Sequence, residues 1–418
     1  SIIDLSTAAN QPIFSQSGRY AIVYNGEVYN HKVIAKELPI QLKTHSDTEV
    51  ILEAFAQWGP KMVNRLNGMF AIAIFDKLEE KLYLFRDRVG IKPLFVYRKN
   101  GILGFGSELK ALTALENQLE FTLNREAIPY FLHLGYIPQP ITIYNEVEKF
   151  PSGHWAVFDG ETLKTECYWN PADKIAADVV SDETEAKQQL EKLLKESVRK
   201  RLMSDVPFGT FLSGGVDSSL VTAFAQEESS ERLKTFSIGF DNSKHDESKY
   251  ARQVAEHLGT EHFEYKVTEK DALDLVEDIL TQYDEPYADS SAIPTMLVSK
   301  MARQEVTMTL SGDGGDELFM GYGAYTWANR LSSPLIKALK KPIGTVLSLG
   351  NNRQRRAANM FQYSSSDNLA SHIFSQEQYL FSTLELEHLL VDQNQLNFSY
   401  LKQSTKLNRK LSPAENQA

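Results

Sequence analysis

Two short stretches of the 418-residue sequence carry residue types and spacing suited to phosphate chemistry. The first is FGTFLSGGVDSSL, Phe208 to Leu220. A strand-like apolar run ends at Leu212, Ser213, Gly214 and Gly215 make a turn, and Asp217, Ser218 and Ser219 open a helix-like stretch. The glycines permit positive φ and close backbone approach to a ligand. The N–H groups of the turn and the helix start converge into an anion site, and the serine hydroxyls add donors. No Lys follows the glycines, so this is not a Walker A loop. Asp217 would repel a bare phosphate, and makes sense if Mg²⁺ sits between its carboxylate and the phosphate oxygens. On this stretch alone, an ordinary glycine turn with a Ser/Asp-rich helix start stays open.

The second stretch is VTMTLSGDGGDELFMGY, Val306 to Tyr322. A strand again ends, at Leu310, and Ser311, Gly312, Asp313, Gly314, Gly315, Asp316 and Glu317 follow. Two such turns at the ends of parallel strands would face one crevice. One holds phosphates while the other brings carboxylates for a metal or for proton transfer. The bland alternative is two unrelated surface loops.

The elements around these turns have the order such a crevice needs. A helix over about Glu183 to Met203 puts Leu190, Leu193, Leu194, Val198 and Leu202 on one face. Strand and helix then alternate: Phe208–Leu212 and Val216–Ala225, Lys234–Phe240 and Ser248–Leu258, His262–Val267 and Asp271–Gln282. A helix over Ile293–Arg303 and a strand over Val306–Leu310 follow. This alternation predicts a parallel sheet with ligands beyond the carboxyl ends of its strands. The first part differs. Arg19–Asn30, Met69–Asp76, Lys81–Asp87 and Gly101–Glu108 read as strands, with one capped helix in Ser46–Gly59. That pattern predicts a layered, mainly β domain.

Length suggests two or three domains. Net charge is −11, from 44 basic and 55 acidic residues, which argues against nucleic acid as a main partner. No apolar run reaches membrane-span length, and the longest, Met69–Phe75, reads as a buried strand. The single cysteine, Cys167, excludes an internal disulfide and fits a reducing, cytoplasmic setting. It is expected to be a small structural residue. Arg86, Asp87 and Arg88 are expected to form a buried ion pair, with the lining of an internal path as the other reading. No spacing among the nine histidines, His45 and His262 included, suggests zinc, and KALKKP (Lys337–Pro342) reads as a solvated helix end.

Taken together, the two turns resemble the ATP-pyrophosphatase domain of the glutamine-dependent asparagine synthetase family. The resemblance extends through TFSIGF (Thr235–Phe240), DESKYARQVAEHLGTEH (Asp246–His262) and DEPYADSSAIPTMLVSKMAR (Asp284–Arg303). The first domain resembles the same family's glutaminase domain, in SIIDLS (Ser1–Ser6), YNGEVYNH (Tyr24–His31), HSDTEVIL (His45–Leu52), LNGMFAIAIFD (Leu66–Asp76), RDRVGIKPL (Arg86–Leu94) and SELKAL (Ser107–Leu112). It implies an α+β glutaminase of the N-terminal-nucleophile type at 1–168, a linker at 169–185, and an α/β ATP-pyrophosphatase domain at 186–418.

The resemblance implies hydrolysis of glutamine, passage of ammonia, adenylation of a carboxylate by ATP, and amide formation with loss of AMP. Aspartate is the expected acceptor, and another small carboxylate such as a surface-polysaccharide sugar acid is the alternative. A decayed, nonenzymatic nucleotide binder is the reading from a different class. Asn25, Gly26, Glu27 and Asp47 are then expected to bind glutamine. Leu212, Ser213, Gly214, Gly215, Asp217, Ser218, Ser219, Ile238, Ser311 and Gly312 are expected to bind ATP. Asp217 and Asp316 would hold Mg²⁺, and Asp313 would take a proton from ammonia. The expected partners are these small molecules, with no nucleic acid or membrane and a homodimer as a candidate assembly.

Neither the family's cysteine nucleophile segment nor its carboxyl-terminal segment DR-x-SM…E-x-R-x-P is found, so the chain reads as truncated at both ends. Ser1 opens a motif that the family places downstream of the nucleophile, and is not expected to replace it. The purified chain should therefore release no glutamate from glutamine, and measurable release would refute this expectation.

Overall fold

Strand-forming residues between turn residues fold into nine strands in the first 167 positions: β1 (Ile13–Phe14), β2 (Tyr20–Val28), β3 (Gly68–Asp76), β4 (Lys81–Arg86), β5 (Phe95–Lys99), β6 (Ile102–Gly106), β7 (Val147–Lys149), β8 (His154–Phe158) and β9 (Leu163–Cys167). The computed structural model describes residues 2–175, 179–240, 246–363, 369–390 and 409–417. Ser1 and part of the expected linker lie outside the described residues. One antiparallel sheet has the order β1-β2-β3-β4-β8-β9, and a second, also antiparallel, has the order β6-β5-β7.

Helix α1 (Asp47–Trp58) covers the larger sheet. It starts where Ser46 Oγ accepts the Thr48 N–H at 3.1 Å, a cap that satisfies one of the orphan donors of the first turn. Val50, Ile51, Ala54 and Phe55 are buried against Ile22, Phe70, Ile72 and Ile74. Each large side chain buried there contributes roughly 1.5–3 kcal/mol relative to exposure. Two glycines bring β2 and β3 close. A Cβ on Gly26 would lie 2.1 Å from Met69 O, and one on Gly68 would lie 2.1 Å from Glu27 O.

Later strands β10 (Phe208–Phe211), β11 (Lys234–Phe240), β12 (Glu261–Val267) and β13 (Met308–Leu310) form a parallel sheet in the order β12-β11-β10-β13. Helices α2 (Glu183–Arg201), α3 (Val216–Glu228), α4 (Ser248–Leu258), α5 (Ala292–Glu305) and α6 (Gly315–Phe319) connect or flank these strands. A hydrogen bond of 2.9 Å between buried Thr210 and Thr222 ties β10 to α3. The expected fold classes are both present, antiparallel sheets first and a parallel sheet after.

Several finer expectations are corrected. Leu193 is 64% exposed and Leu190 37%, so only Leu194, Val198 and Leu202 of the proposed stripe pack inward. The helix expected over Asp271–Gln282 is two, Glu269–Asp274 and Val276–Gln282, with Leu275 buried between them. Strand β13 begins at Met308 because the Val306 N–H still caps α5 through Ala302 O. Arg86 and Asp87 are both buried without pairing to each other. Arg86 donates to Lys92 O, Gly90 O and Phe150 O. The Asp87 carboxylate accepts from the N–H groups of Phe70, Val89, Ile91 and Lys92. Backbone groups do the work expected of an ion pair. Cys167 is exposed on the outer strand β9. The KALKKP stretch lies within helix α7 (Pro334–Ser348), where Lys340 sits 3.7 Å over the Tyr363 ring and donates to Tyr363 O.

The segment Asp284–Ala288 is one of those that join the two halves. Glu285 accepts the Ile143 N–H at 2.8 Å and pairs with Lys149 at 2.6 Å. Its neighbour Asp284 accepts the Leu109 N–H and lies 3.5 Å from Lys110 Nζ. Ala288 N–H donates to Gly135 O at 2.8 Å. Burial lowers the Lys149 pKa and Glu285 opposes that shift.

Candidate active site

Strands β11 and β12 lie on one side of β10, and β13 lies on the other. The succession of strands therefore reverses at β10, which in an open α/β sheet opens a crevice at the carboxyl ends. Both glycine-rich turns leave the sheet here. They line a cavity of about 660 Å³, within the roughly 300–1,000 Å³ span of small-molecule sites.

The turns touch because their glycines lack side chains. A Cβ on Gly312 would lie 2.8 Å from Ser218 N, and one on Gly315 would lie 2.5 Å from the Asp217 carboxylate. Within the first turn, Ser213 Oγ and Ser218 Oγ are 3.0 Å apart, and the Gly215 N–H donates to Ser213 Oγ at 3.3 Å. Within the second, Ser311 Oγ donates to Asp313 Oδ2 at 2.8 Å, which holds that carboxylate at the rim.

Leu212, Ser213, Gly215, Asp217, Ser218, Ile238, Ser311, Gly312, Asp313 and Asp316 all line the cavity. Gly214 and Ser219 do not. Gly214 has φ +85°, and a Cβ there would meet Ala251 N at 2.6 Å, so this glycine lets α4 close against the turn. Ser219 Oγ is buried, with no hydrogen bond among the described residues. The sequence reading missed Glu247, Pro294, Thr295, Val298 and Phe319, which also line the cavity.

Mg²⁺ was expected on Asp217 and Asp316. Among the described residues no three His, Cys, Asp or Glu side chains form a ready-made metal cage. Mg²⁺ is usually held by one or two carboxylates plus substrate phosphates. The donor set suits the ion: the acidic residues Asp217 and Asp316 both line the cavity, as do residues whose hydroxyls and N–H groups suit phosphate.

The expected glutamine residues gather on the other half. Asp47 Oδ2 accepts the Tyr24 hydroxyl at 2.8 Å and the Val28 N–H at 3.0 Å. Asn25 Nδ2 donates to Ser107 Oγ at 3.0 Å. Glu27 is buried, and its Oε1 has no hydrogen bond among the described residues. Burial, and next the Asp47 charge, push the Glu27 carboxyl up to about 7. Burial also raises Asp47, against the lowering effect of its Val28 and Tyr24 bonds. Two desolvated carboxylates side by side suit an ammonium group, which would relieve both. Tyr24 and Ser107 fix Asp47 and Asn25, and the sequence shows them only as parts of motifs.

Comparison with known proteins agrees with this geometry. A family model described as asparagine synthase matches residues 189–415. The chain belongs to the asparagine synthase family. A glutamine amidotransferase domain model matches residues 1–169. A Methanocaldococcus jannaschii relative is 38% identical over 325 residues, 77% of this chain and 62% of that protein. Asparagine synthetase 1 (glutamine-hydrolyzing) of Bacillus subtilis is 35% identical over 78% of this chain and 51% of its own length. Asparagine synthetase B (glutamine-hydrolyzing) of Escherichia coli is 32% identical over 77% of this chain and 55% of its own. The chain thus spans about half the length of the relatives it matches.

In this chain the glycine contacts can be tested separately. Gly315→Ala displaces only the flexible Asp217 carboxylate. It should weaken Mg-ATP binding about tenfold in calorimetry, a loss of about 1.4 kcal/mol, with little change in melting temperature. Gly312→Ala meets backbone, and should lower unfolding free energy by about 1–3 kcal/mol.

The buried carboxylate gives a pH test. Because the folded pKa of Glu27 is raised to about 7 from 4.5, its protonated form stabilises the fold fully below pH 4.5. That contribution is lost as pH rises through about 7. Glu27→Gln lacks the effect, so its melting temperature relative to the parent should climb between pH 5 and pH 8. A difference that stays constant with pH would contradict the assignment.

Proposed function

We propose that the chain forms amides at the expense of ATP, converting aspartate to asparagine with AMP and pyrophosphate as products. One observation carries this reading: the two glycine-rich turns meet in one cavity, with Asp217 lodged against Gly315. Such a cavity offers phosphate donors and acidic groups together, which a transfer from ATP needs.

In this reading, the backbone N–H groups and hydroxyls of Ser213, Gly215, Ser218, Ser311 and Gly312 hold the phosphates in line. Ile238 packs beside the base. Asp217 and Asp316 would hold Mg²⁺, which neutralises charge on the departing pyrophosphate. A carboxylate oxygen of aspartate attacks the α-phosphorus, the new O–P bond forms, and the bond to pyrophosphate breaks. Ammonia then attacks the acyl carbon, AMP leaves with the bonding pair, and Asp313 accepts the surplus proton. Its hydrogen bond from Ser311 keeps the carboxylate in place for that transfer. Asn25, Gly26, Glu27 and Asp47 would bind the glutamine from which ammonia derives, with residues 1–168 and 186–418 as the two working domains.

A cytoplasmic setting belongs to the same proposal, supported by the single cysteine. Among the described residues no helix is long and apolar enough to cross a membrane.

Calorimetry should find one ATP site that requires Mg²⁺, and Asp217→Asn should weaken it at least about tenfold. ATP–pyrophosphate exchange should then depend on aspartate. Exchange driven by a different carboxylate would overturn the acceptor, and absence of nucleotide binding would overturn the whole reading.

A further inference from the structure

The order β12-β11-β10-β13 makes β10 the first strand of the sheet in chain order and β11 the second. The phosphate-type turn follows the first strand. In a sheet wound this way, the end of the second strand lies one strand spacing away, about 4.8 Å. A nucleotide whose phosphates sit on the first turn must lay its sugar across that gap. An acidic residue after the second strand is the recurrent partner of ribose hydroxyls in such sheets.

Among the described residues two acidic residues follow β11, Asp246 and Glu247, and they behave differently. Asp246 is already engaged. Its Oδ1 accepts from the N–H groups of Ser248 at 3.1 Å and Phe240 at 3.4 Å, and it lies against the bare Cα of Gly239. These bonds hold Asp246 at the end of β11. They fix Glu247 between Asp246 and buried Ser248 at the start of α4. Helix α4 is in turn seated on Gly214 of the phosphate turn. Glu247 lines the cavity with Ser237, Ile238 and Phe240, and its carboxylate makes no hydrogen bond or ion pair among the described residues.

A carboxylate with free lone pairs on the cavity wall accepts hydrogen bonds and repels phosphate. The phosphate donors lie at the turn and the apolar wall at Ile238, Phe236 and Val298. The group that Glu247 can serve is the one between them. We propose that Glu247 accepts hydrogen bonds from the ribose hydroxyls of the bound nucleotide and makes the site select ribonucleotides. The inference rests on the ATP-binding reading above.

The test compares ATP, 2′-deoxy-ATP and 3′-deoxy-ATP, each with Mg²⁺, by calorimetry on the 418-residue chain. The parent should bind ATP about tenfold more tightly than at least one deoxy analogue, as expected when a built acceptor loses its donor. Glu247→Ala should bind all three alike, at the affinity of the weaker analogue. Glu247→Gln retains a carbonyl acceptor and should keep part of the preference. Circular dichroism checks that both variants fold. A parent that binds ATP and both analogues equally overturns the proposal while leaving the nucleotide site intact. So does a Glu247→Ala variant that still discriminates. A parent that binds none of the three overturns the nucleotide reading together with this one.

Discussion

The contact between two bare backbones governs the rest of this structure. Gly312 and Gly315 sit where any side chain would strike Ser218 or Asp217. Everything chemical in the second half depends on that approach. With the turns apart, Asp217 and Asp316 would belong to separate loops. With the turns in contact, both residues line the same cavity as the phosphate donors. The sheet supplies the distance, since β10 and β13 are neighbours and both end in turns. The glycines supply the closeness.

A second constraint operates in the first half. Gly26 and Gly68 face each other's strands at distances that no Cβ could tolerate. This pulls Glu27 into the interior beside Asp47, where its carboxyl has no hydrogen-bond partner among the described residues and favours the protonated form. Burial of an unpaired acid costs stability. It persists beside Tyr24 and Val28, whose bonds to Asp47 fix the second acid. The halves thus use glycine in two ways. One pair joins two loops, and the other pair brings two strands together and desolvates a charge.

Much of this was legible in the sequence because glycine and acid spacing is local information. The turns at Ser213 and Ser311, the strand alternation, and the cap at Ser46 each lie within a dozen residues. What was not legible depends on long-range packing. Arg86 and Asp87 look like an ion pair in sequence, and become two separate backbone anchors once Phe70 and Phe150 arrive from other strands. Leu193 has the right helical spacing yet faces solvent, because spacing does not say how wide a neighbour's surface is. Gly214 reads as a phosphate-loop glycine, and α4 claims its open side. Tyr24 and Glu247 carry no local signature, and acquire roles only through what the sheets place opposite them.

The segment from Asp284 to Ala288 has a bearing on how such a protein can be recombined. Its two adjacent carboxylates reach two separate pieces of the first half, Leu109–Lys110 and Ile143–Lys149. Six residues after Ala288, Pro294 begins the stretch of α5 that lines the cavity. A first half grafted onto a foreign partner would present Lys149 and the Leu109 and Ile143 N–H groups without acceptors. A second half grafted likewise would leave Asp284 and Glu285 without donors. The boundary between the halves is therefore keyed like a lock and its key. Chimeras that exchange whole halves would have to carry the matching teeth from both sides.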